Sequence, residues 1–227
     1  MQAVILAAGE GRRLRPLTDN VPKPMVRILG KPILEYTLSM LPKEIDEVIL
    51  VVGYKGQVVK DYFGSLYKHF ALRYVLQETP MGTGHALELT KPFLKKGDFL
   101  FLYADDLYSR EDIEECVRSA HQMVLVKEVV HPERFGVCTL GKDNRILDIV
   151  EKPENPTSNL ALVGVHKLSI DLFKIPKVQL PNGEYNLTGQ IANFSHTTPI
   201  YALRARFWHP IGYPEDVVEA GRLLLKN

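Results

Sequence analysis

The chain has 227 residues, with 28 Lys and Arg against 27 Asp and Glu, for a formal net charge of +1. That balance excludes a protein that grips nucleic acid or an anionic membrane through bulk charge. A hydrophobic share of 45% with 24% charged residues excludes disorder as the main state, because apolar surface is ample to offset the ordering entropy.

The N-terminal MQAVILAAGEG has no basic lead, and its apolar run is too short for a secretion signal or a bilayer span. Two cysteines, Cys116 and Cys138, form neither a disulfide framework nor a zinc cluster. Both features predict a cytoplasmic protein in a reducing compartment.

In chain order, short β-branched runs alternate with helical patterns. Gln2–Ala7 reads as a strand. Residues 32–41 read as a helix with Pro32 in its first turn, followed by a strand at Glu47–Val52 and a helix over 57–66. A strand at 72–76, a helix at 84–94 and a strand buried on both faces at Asp98–Tyr103 come next. Residues 110–121 read as a helix entered through a capping box at Ser109-Arg110-Glu111-Asp112. From about residue 122 the pattern changes to strands at 124–129, Gly136–Leu140, Ile146–Glu151 and 160–166, with a closing helix at 215–225. The expected fold is α/β: a Rossmann-like, doubly wound mixed sheet with helices on both faces, and a small sub-lobe built from the second half. In such sheets ligands bind beyond the carboxyl ends of the strands, which gathers the loops after Ala7, Leu76 and Tyr103 on one rim.

The densest chemistry lies in Leu6-Ala7-Ala8-Gly9-Glu10-Gly11-Arg12-Arg13-Leu14-Arg15-Pro16-Leu17-Thr18, continuing to Pro22-Lys23-Pro24-Met25. Between Gly9 and Lys31, six cations (Arg12, Arg13, Arg15, Lys23, Arg27 and Lys31) face only Glu10 and Asp19. Gly9 and Gly11 clear side chains from where backbone N–H groups can meet phosphate oxygens. The arginines add fork-shaped donors, and Lys23 is a point charge on a proline-stiffened loop. The run is neither a P-loop, which needs G-x-x-x-x-G-K-[ST], nor a dinucleotide fingerprint, since Leu14 stands at its third glycine.

This loop resembles the signature L-A-A-G-x-G-[TS]-R-L-x-P-L-T … P-K-P of the sugar-1-phosphate nucleotidyltransferases, with Arg12 where Thr or Ser is usual. Gln77-Glu78-Thr79-Pro80-Met81-Gly82-Thr83-Gly84-His85-Ala86 resembles the family's base-recognition segment, and Tyr103-Ala104-Asp105 its metal-binding strand end. Phe135-Gly136-Val137, Glu151-Lys152-Pro153 and Asn159-x-Ala161-x-x-Gly164 resemble its sugar-site motifs. The resemblance spans nearly the whole chain. It implies attack of a sugar-1-phosphate oxygen on the α-phosphorus of a nucleoside triphosphate, yielding NDP-sugar and pyrophosphate. It implies Arg13, Lys23 and Asp105 as catalytic residues, with Asp105 holding Mg²⁺. Leu6, Ala8, Gly9, Gly11, Gln77, Gly82 and Thr83 are the implied nucleotide contacts, and Gly136, Glu151, Lys152 and Asn159 the implied sugar contacts. Residues 1–227 are then a single nucleotidyltransferase domain, with 1–121 as nucleotide half and 122–227 as sugar half plus terminal helix. UTP is slightly favoured, with dTTP or GTP as further options. The expected partners are the NTP and the sugar-1-phosphate, without nucleic acid or membrane, and Tyr185 with the last helix suits contact with a second copy.

Two departures matter. The usual W-x-D-[IV]-G-x-P-x-D reads Trp208-His209-Pro210-Ile211-Gly212-Tyr213-Pro214-Glu215-Asp216, so Pro210 replaces a second metal carboxylate. Leu187-Thr188-Gly189 stands where Leu-Thr-Asp is common, so Gly189 replaces the carboxylate. Two other readings follow: a catalytically weak paralogue that binds NDP-sugar and regulates a partner, or a cytidylyltransferase acting on a non-sugar phosphate. Asp106 is left as a neighbour of the site, since an adjacent strand residue points the other way.

Overall fold

The computed structural model describes residues 1–226. The main strands are β1 (Gln2–Ala7), β2 (Glu47–Val52), β3 (Phe70–Leu76), β4 (Asp98–Tyr103), β5 (Gln122–Glu128), β6 (Gly136–Leu140), β7 (Ile146–Glu151), β8 (Leu160–Ser169) and β9 (Ile200–Arg204). The helices are α1 (Ile33–Met40), α2 (Gly56–Phe63), α3 (Thr83–Glu88), α4 (Arg110–Arg118), α5 (Leu187–Ser195) and α6 (Pro214–Lys226).

β3, β2, β1 and β4 lie side by side and parallel. All six residues of β1 are buried, as a parallel strand covered on both faces requires. Two cores make that cover. Leu34 and Leu38 of α1, Val59 and Phe63 of α2, and Ile113 and Cys116 of α4 pack on one face. Ala86 and Leu87 of α3, with Leu187, Ile191 and Phe194 of α5, pack on the other. β2 and β4 flank β1 on opposite sides, so the loops after β1 and β4 open at the point where the winding reverses.

The second half extends the sheet in mixed sense. β8 is antiparallel to β4, β5 and β6, β6 is antiparallel to β7, and β9 is parallel to β5. The register of β8 against β5 shifts between Leu162 and His166. Gly164 lies in that irregular stretch, and a Cβ there would sit 2.1 Å from Tyr103 Cδ2. The glycine therefore makes room for the Tyr103 ring at the end of β4.

Three strand bounds, β1, β2 and β4, are as expected from sequence, and so are β6 and β7 in the second half. Helix ends differ for local reasons. Pro32 is the N-cap of α1 rather than its first residue, because Lys31–Pro32 pairs with Arg27–Ile28 as a short ladder. α2 stops at Phe63, where Gly64 takes φ +64°, and Leu66–Tyr67 is a short strand rather than helix. α3 ends at Glu88, and Lys91–Phe93, which contains Pro92, is a separate 3₁₀ turn. Ser109 caps α4 by accepting from the Asp112 N–H. The capping box is one-sided, because the Asp112 carboxylate instead accepts from Arg206. α5 and β9 were not expected from the sequence.

α6 packs through Ala220 against Leu14, Val26, Ile28, Ile33 and Ile211. The last helix thus clamps the arginine-rich loop from behind.

Candidate functional site

The loops after β1 and β4 meet at the sheet rim. Ala104 N–H donates to the Leu6 carbonyl (3.1 Å), and Lys23 Nζ donates to Asp105 Oδ2 at 2.5 Å. The ion pair is partly buried, with the Lys23 side chain 13% and the Asp105 side chain 31% exposed. Gly11 takes φ +72°, and a Cβ there would lie 2.8 Å from Lys23 Cβ, so this glycine lets the loop fold back onto the lysine segment. Gly9 is different: nothing lies within 4 Å of where its Cβ would be, and that open space faces a cavity.

That first cavity, about 660 Å³, is lined by Leu6, Ala8, Gly9, Gly11, Gln77, Gly82, Thr83 and Asp105. The seven residues expected to contact the nucleotide therefore share one chamber. Gln77 is buried, and its Nε2 donates to the Gly82 carbonyl (3.2 Å) and lies 3.1 Å from His85 Nδ1. The carbonyl can only accept, so the amide oxygen is the end left for a ligand. Gly82 takes φ +89°, and a Cβ would meet the Tyr185 carbonyl at 2.5 Å. Tyr185 is thus packed within its own chain, its N–H donating to the Met81 carbonyl and its ring lying under Lys177.

A second cleft, about 330 Å³, is lined by Arg13, Lys23, Asp106, Arg134, Gly136, Glu151, Lys152, His166, Tyr213 and Asp216, among others. Tyr103 lines both chambers and forms the wall between them. Gly136 is needed here, since a Cβ would lie 2.9 Å from Thr188 Cγ2. Lys152 is held at φ +45°, with its N–H on the Phe135 carbonyl, an unfavourable backbone for a side-chain-bearing residue at the mouth of the cleft. Asn159 does not reach either chamber: its side chain is exposed, and only its carbonyl is engaged, by Val129 N–H.

The loop cations divide by partner. Arg12 and Arg15 bond to Glu10 at 2.7 Å each, and those guanidinium groups hold the Glu10 carboxyl below its ordinary range. Arg27 and Lys31 are exposed away from both chambers. Arg13 and Lys23 face the second cleft, and Arg12 edges the first.

Asp105 lies in the turn after β4 and Asp106 begins the short strand that follows, and the two line different chambers. Asp106 is paired in register with Pro210 and accepts from Trp208 Nε1 (2.9 Å) and Ile211 N–H (3.1 Å). Burial, with the Asp105 charge adding to it, pushes the Asp106 carboxyl up to about 7. His166 stacks on Phe101 at 5.3 Å and 5° between planes, and its buried Nδ1 has no hydrogen-bond partner. Burial pushes the imidazole down to about 3, against a smaller pull from the Val165 backbone, so the ring is neutral. Gly189 is explained by packing: a Cβ would lie 3.0–3.2 Å from the Val178 side chain, and its N–H is capped by Asn186 at 2.6 Å.

Tyr103, Arg134 and Tyr213 also line the second cleft, although none is among the contacts expected from the sequence. Arg134 directly precedes the Phe135-Gly136 motif, which was the available signal. Tyr213 comes into the site only through the long-range packing of its turn.

The nucleotidyl transferase family profile matches residues 2–227. The chain is 39% identical to the bifunctional protein GlmU of Methanococcus vannielii, covering 100% of this chain and 56% of that protein. The chain thus spans little more than half the length of that relative. It is 34% identical to the UTP–glucose-1-phosphate uridylyltransferase AglF of Haloferax volcanii, covering 99% of this chain and 96% of AglF. A crystal structure of UDP-glucose pyrophosphorylase complexed with UDP-glucose superposes with a TM-score of 0.89 at 25% identity, covering 99% of this chain and 98% of that one. With two chambers meeting at the rim of a mixed α/β sheet, and these likenesses along its length, the chain belongs to the nucleotidyl transferase family, in its sugar-1-phosphate branch.

Proposed function

We propose that this protein joins a nucleoside triphosphate to a sugar-1-phosphate, releasing pyrophosphate and NDP-sugar. One observation carries the reading: Lys23, on the wall of one chamber, is paired at 2.5 Å with Asp105, on the wall of the other. A cation at that junction sits where two phosphate groups, one per chamber, would be brought together. The 1–121 half then holds the nucleotide and the 122–227 half the sugar.

The sugar phosphate oxygen is already ionised, so no protein nucleophile is needed. Positioning and charge stabilisation carry the step. Arg13 and Lys23 offset the repulsion between the two polyanions and the charge that grows as the α–β bond breaks. Gln77, with its oxygen free, accepts from a donor on the base edge. Glu151 accepts from sugar hydroxyls at the cleft wall. UTP is the favoured nucleotide, a choice supported by what AglF is named for.

The donor set suits Mg²⁺ bound chiefly through substrate. Asp105 offers one carboxylate, Pro210 offers none, and no cluster of three or more His, Cys, Asp or Glu among the described residues could hold a metal ion. Mg²⁺ commonly takes one or two carboxylates and completes its shell with phosphate oxygens and water. Bound there, it would neutralise phosphate charge. Residence in the cytoplasm is supported by two buried free thiols, both pushed up to about 12 by burial.

Pyrophosphate release across a panel of sugar-1-phosphates and each NTP, with and without Mg²⁺, tests the reading. Turnover confined to sugar phosphates supports it. Retained NDP-sugar binding with no turnover would instead favour the regulatory paralogue, and turnover with CTP and a non-sugar phosphate would favour the third reading.

A further inference from the structure

The turn before α6 does more than close the fold. Asp216 Oδ2 accepts from both Gly212 N–H and Tyr213 N–H at 2.8 Å, and Asp216 N–H returns a bond to the Tyr213 carbonyl. The backbone of the turn is therefore fixed on both sides of Tyr213. From it the partly buried Tyr213 ring reaches the second cleft. The Arg13 guanidinium carbon lies 4.9 Å from the ring centroid, and that of Arg134 lies 5.9 Å away. Arg13 Nη1 also reaches the tyrosine oxygen at 3.4 Å. Gly212 lies beside the same arginine: a Cβ there would make an ordinary contact with Arg13 Nη2 at 3.7 Å.

Arg13 and Arg134 have exposed side chains, and neither forms an ion pair with a carboxylate among the described residues. An exposed arginine samples many rotamers, and an aromatic face within about 6 Å restricts it. Here one ring engages two guanidinium groups at the mouth of one cleft. Arg13 spends one N–H on the tyrosine oxygen, at the long distance of 3.4 Å, and neither guanidinium is tied to a carboxylate, which suits both to chelating a phosphate.

We propose that Tyr213 is a positioning residue that holds Arg13 and Arg134 together as a two-arginine phosphate clamp, which makes Arg134 a further phosphate-binding residue. The proposal extends the functional reading above, since it supposes that phosphate enters this cleft. It stands apart from the proline that replaces the metal carboxylate in the same segment, because Tyr213 acts through the arginines and not through a metal.

The test is a double-mutant cycle with Arg13→Ala, Tyr213→Leu and Tyr213→Phe, read by steady-state turnover and by calorimetric binding of inorganic pyrophosphate. Tyr213→Leu should lower kcat/KM at least about tenfold and weaken pyrophosphate binding at least about fivefold, while the unfolding midpoint holds. Tyr213→Phe, which keeps the ring face, should stay within about twofold of wild type. In an Arg13→Ala background, Tyr213→Leu should cost clearly less than it does alone. Arg134→Ala should weaken pyrophosphate binding on its own. Equal losses from Tyr213→Leu with and without Arg13 would overturn the proposal, as would unchanged pyrophosphate affinity in the Tyr213→Leu and Arg134→Ala variants. If Tyr213→Leu unfolds, Tyr213→Phe and Arg134→Ala still decide it: loss in the first or no loss in the second counts against the clamp. A wild type silent toward every sugar phosphate would sink the functional reading, whereas the pyrophosphate arm judges the clamp without turnover.

Discussion

The two chambers are built in different ways. The first is built largely from backbone and small groups: Ala8, Gly9, Gly11 and Gly82, one oriented amide on Gln77, and Thr83. Its arginine, Arg12, is already paired with Glu10. The second is built from charged side chains held at fixed points: Arg13 on Tyr213, Lys23 on Asp105, Lys152 on a left-handed backbone, and Asp106 on Trp208. Shape and open backbone suit a planar base. Fixed charge suits phosphate groups. Within one cationic loop, Gly9 to Lys31, neighbouring arginines take unlike partners and reach different chambers.

The sharpest break of that contrast is at the charges. Arg13→Ala and Lys23→Ala should each lower turnover by about tenfold to a hundredfold, in steady-state assays, with the fold intact by circular dichroism. Near-wild-type rates in both would remove the assignment of the second cleft.

The glycines separate next. Gly82→Ala forces a side chain onto φ +89° and against the Tyr185 carbonyl, so stability should fall by about 1–3 kcal/mol in chemical denaturation. Gly9→Ala meets no atom within 4 Å. It should leave the denaturation midpoint in place yet raise the KM for NTP, because the methyl intrudes only on ligand space.

His166 gives a pH signature to the floor of the second cleft. Its native pKa, about 3, lies below the unfolded value of about 6.5, so the unfolded chain binds a proton that the native one refuses. That part of the stability is complete above about pH 6.5 and is lost as pH falls toward 3, by about 2 kcal/mol near pH 5. His166→Phe should keep the stack on Phe101 and flatten the decline, measured by urea midpoints near pH 7.5 and pH 5. An unchanged slope would contradict a buried neutral imidazole.

The smallest effect belongs to Arg12→Ser. Arg12 is 81% exposed and spent on Glu10. Turnover should remain within about twofold of wild type, as for other solvent-screened pairs. A loss as large as that of Arg13→Ala would erase the difference between the two arginines.

These features were legible in the sequence to unequal degrees. β1, β2 and β4 could be bounded correctly because a parallel strand buried on both faces reads as an unbroken apolar run. The seven residues expected to contact the nucleotide line one chamber because they come from two short segments, 6–11 and 77–83, at the carboxyl ends of β1 and β3. α5 carried a usable stripe, Leu187, Ile191 and Phe194, but Gly189 and the shortness of the helix obscured it. β9 is five residues whose place depends on pairing with β5, so it has no strong local signal. Asn159 sits in the same motif as Ala161 and Gly164, but its exposed side chain lines neither chamber and its carbonyl accepts from Val129 N–H. Tyr213 and Arg134 are far apart in sequence and become neighbours only when α6 docks, which no local pattern encodes.

The central claim is that an oxygen of the sugar-1-phosphate in the second chamber attacks the α-phosphorus of the nucleotide in the first and expels pyrophosphate. It is tested most directly by ³¹P NMR of UTP, Mg²⁺ and a sugar-1-phosphate carrying ¹⁸O on its non-bridging oxygens. The account predicts NDP-sugar and pyrophosphate in equal amounts, with all of the label in NDP-sugar and none in pyrophosphate. Label in pyrophosphate, or free nucleoside monophosphate in place of NDP-sugar, would contradict it.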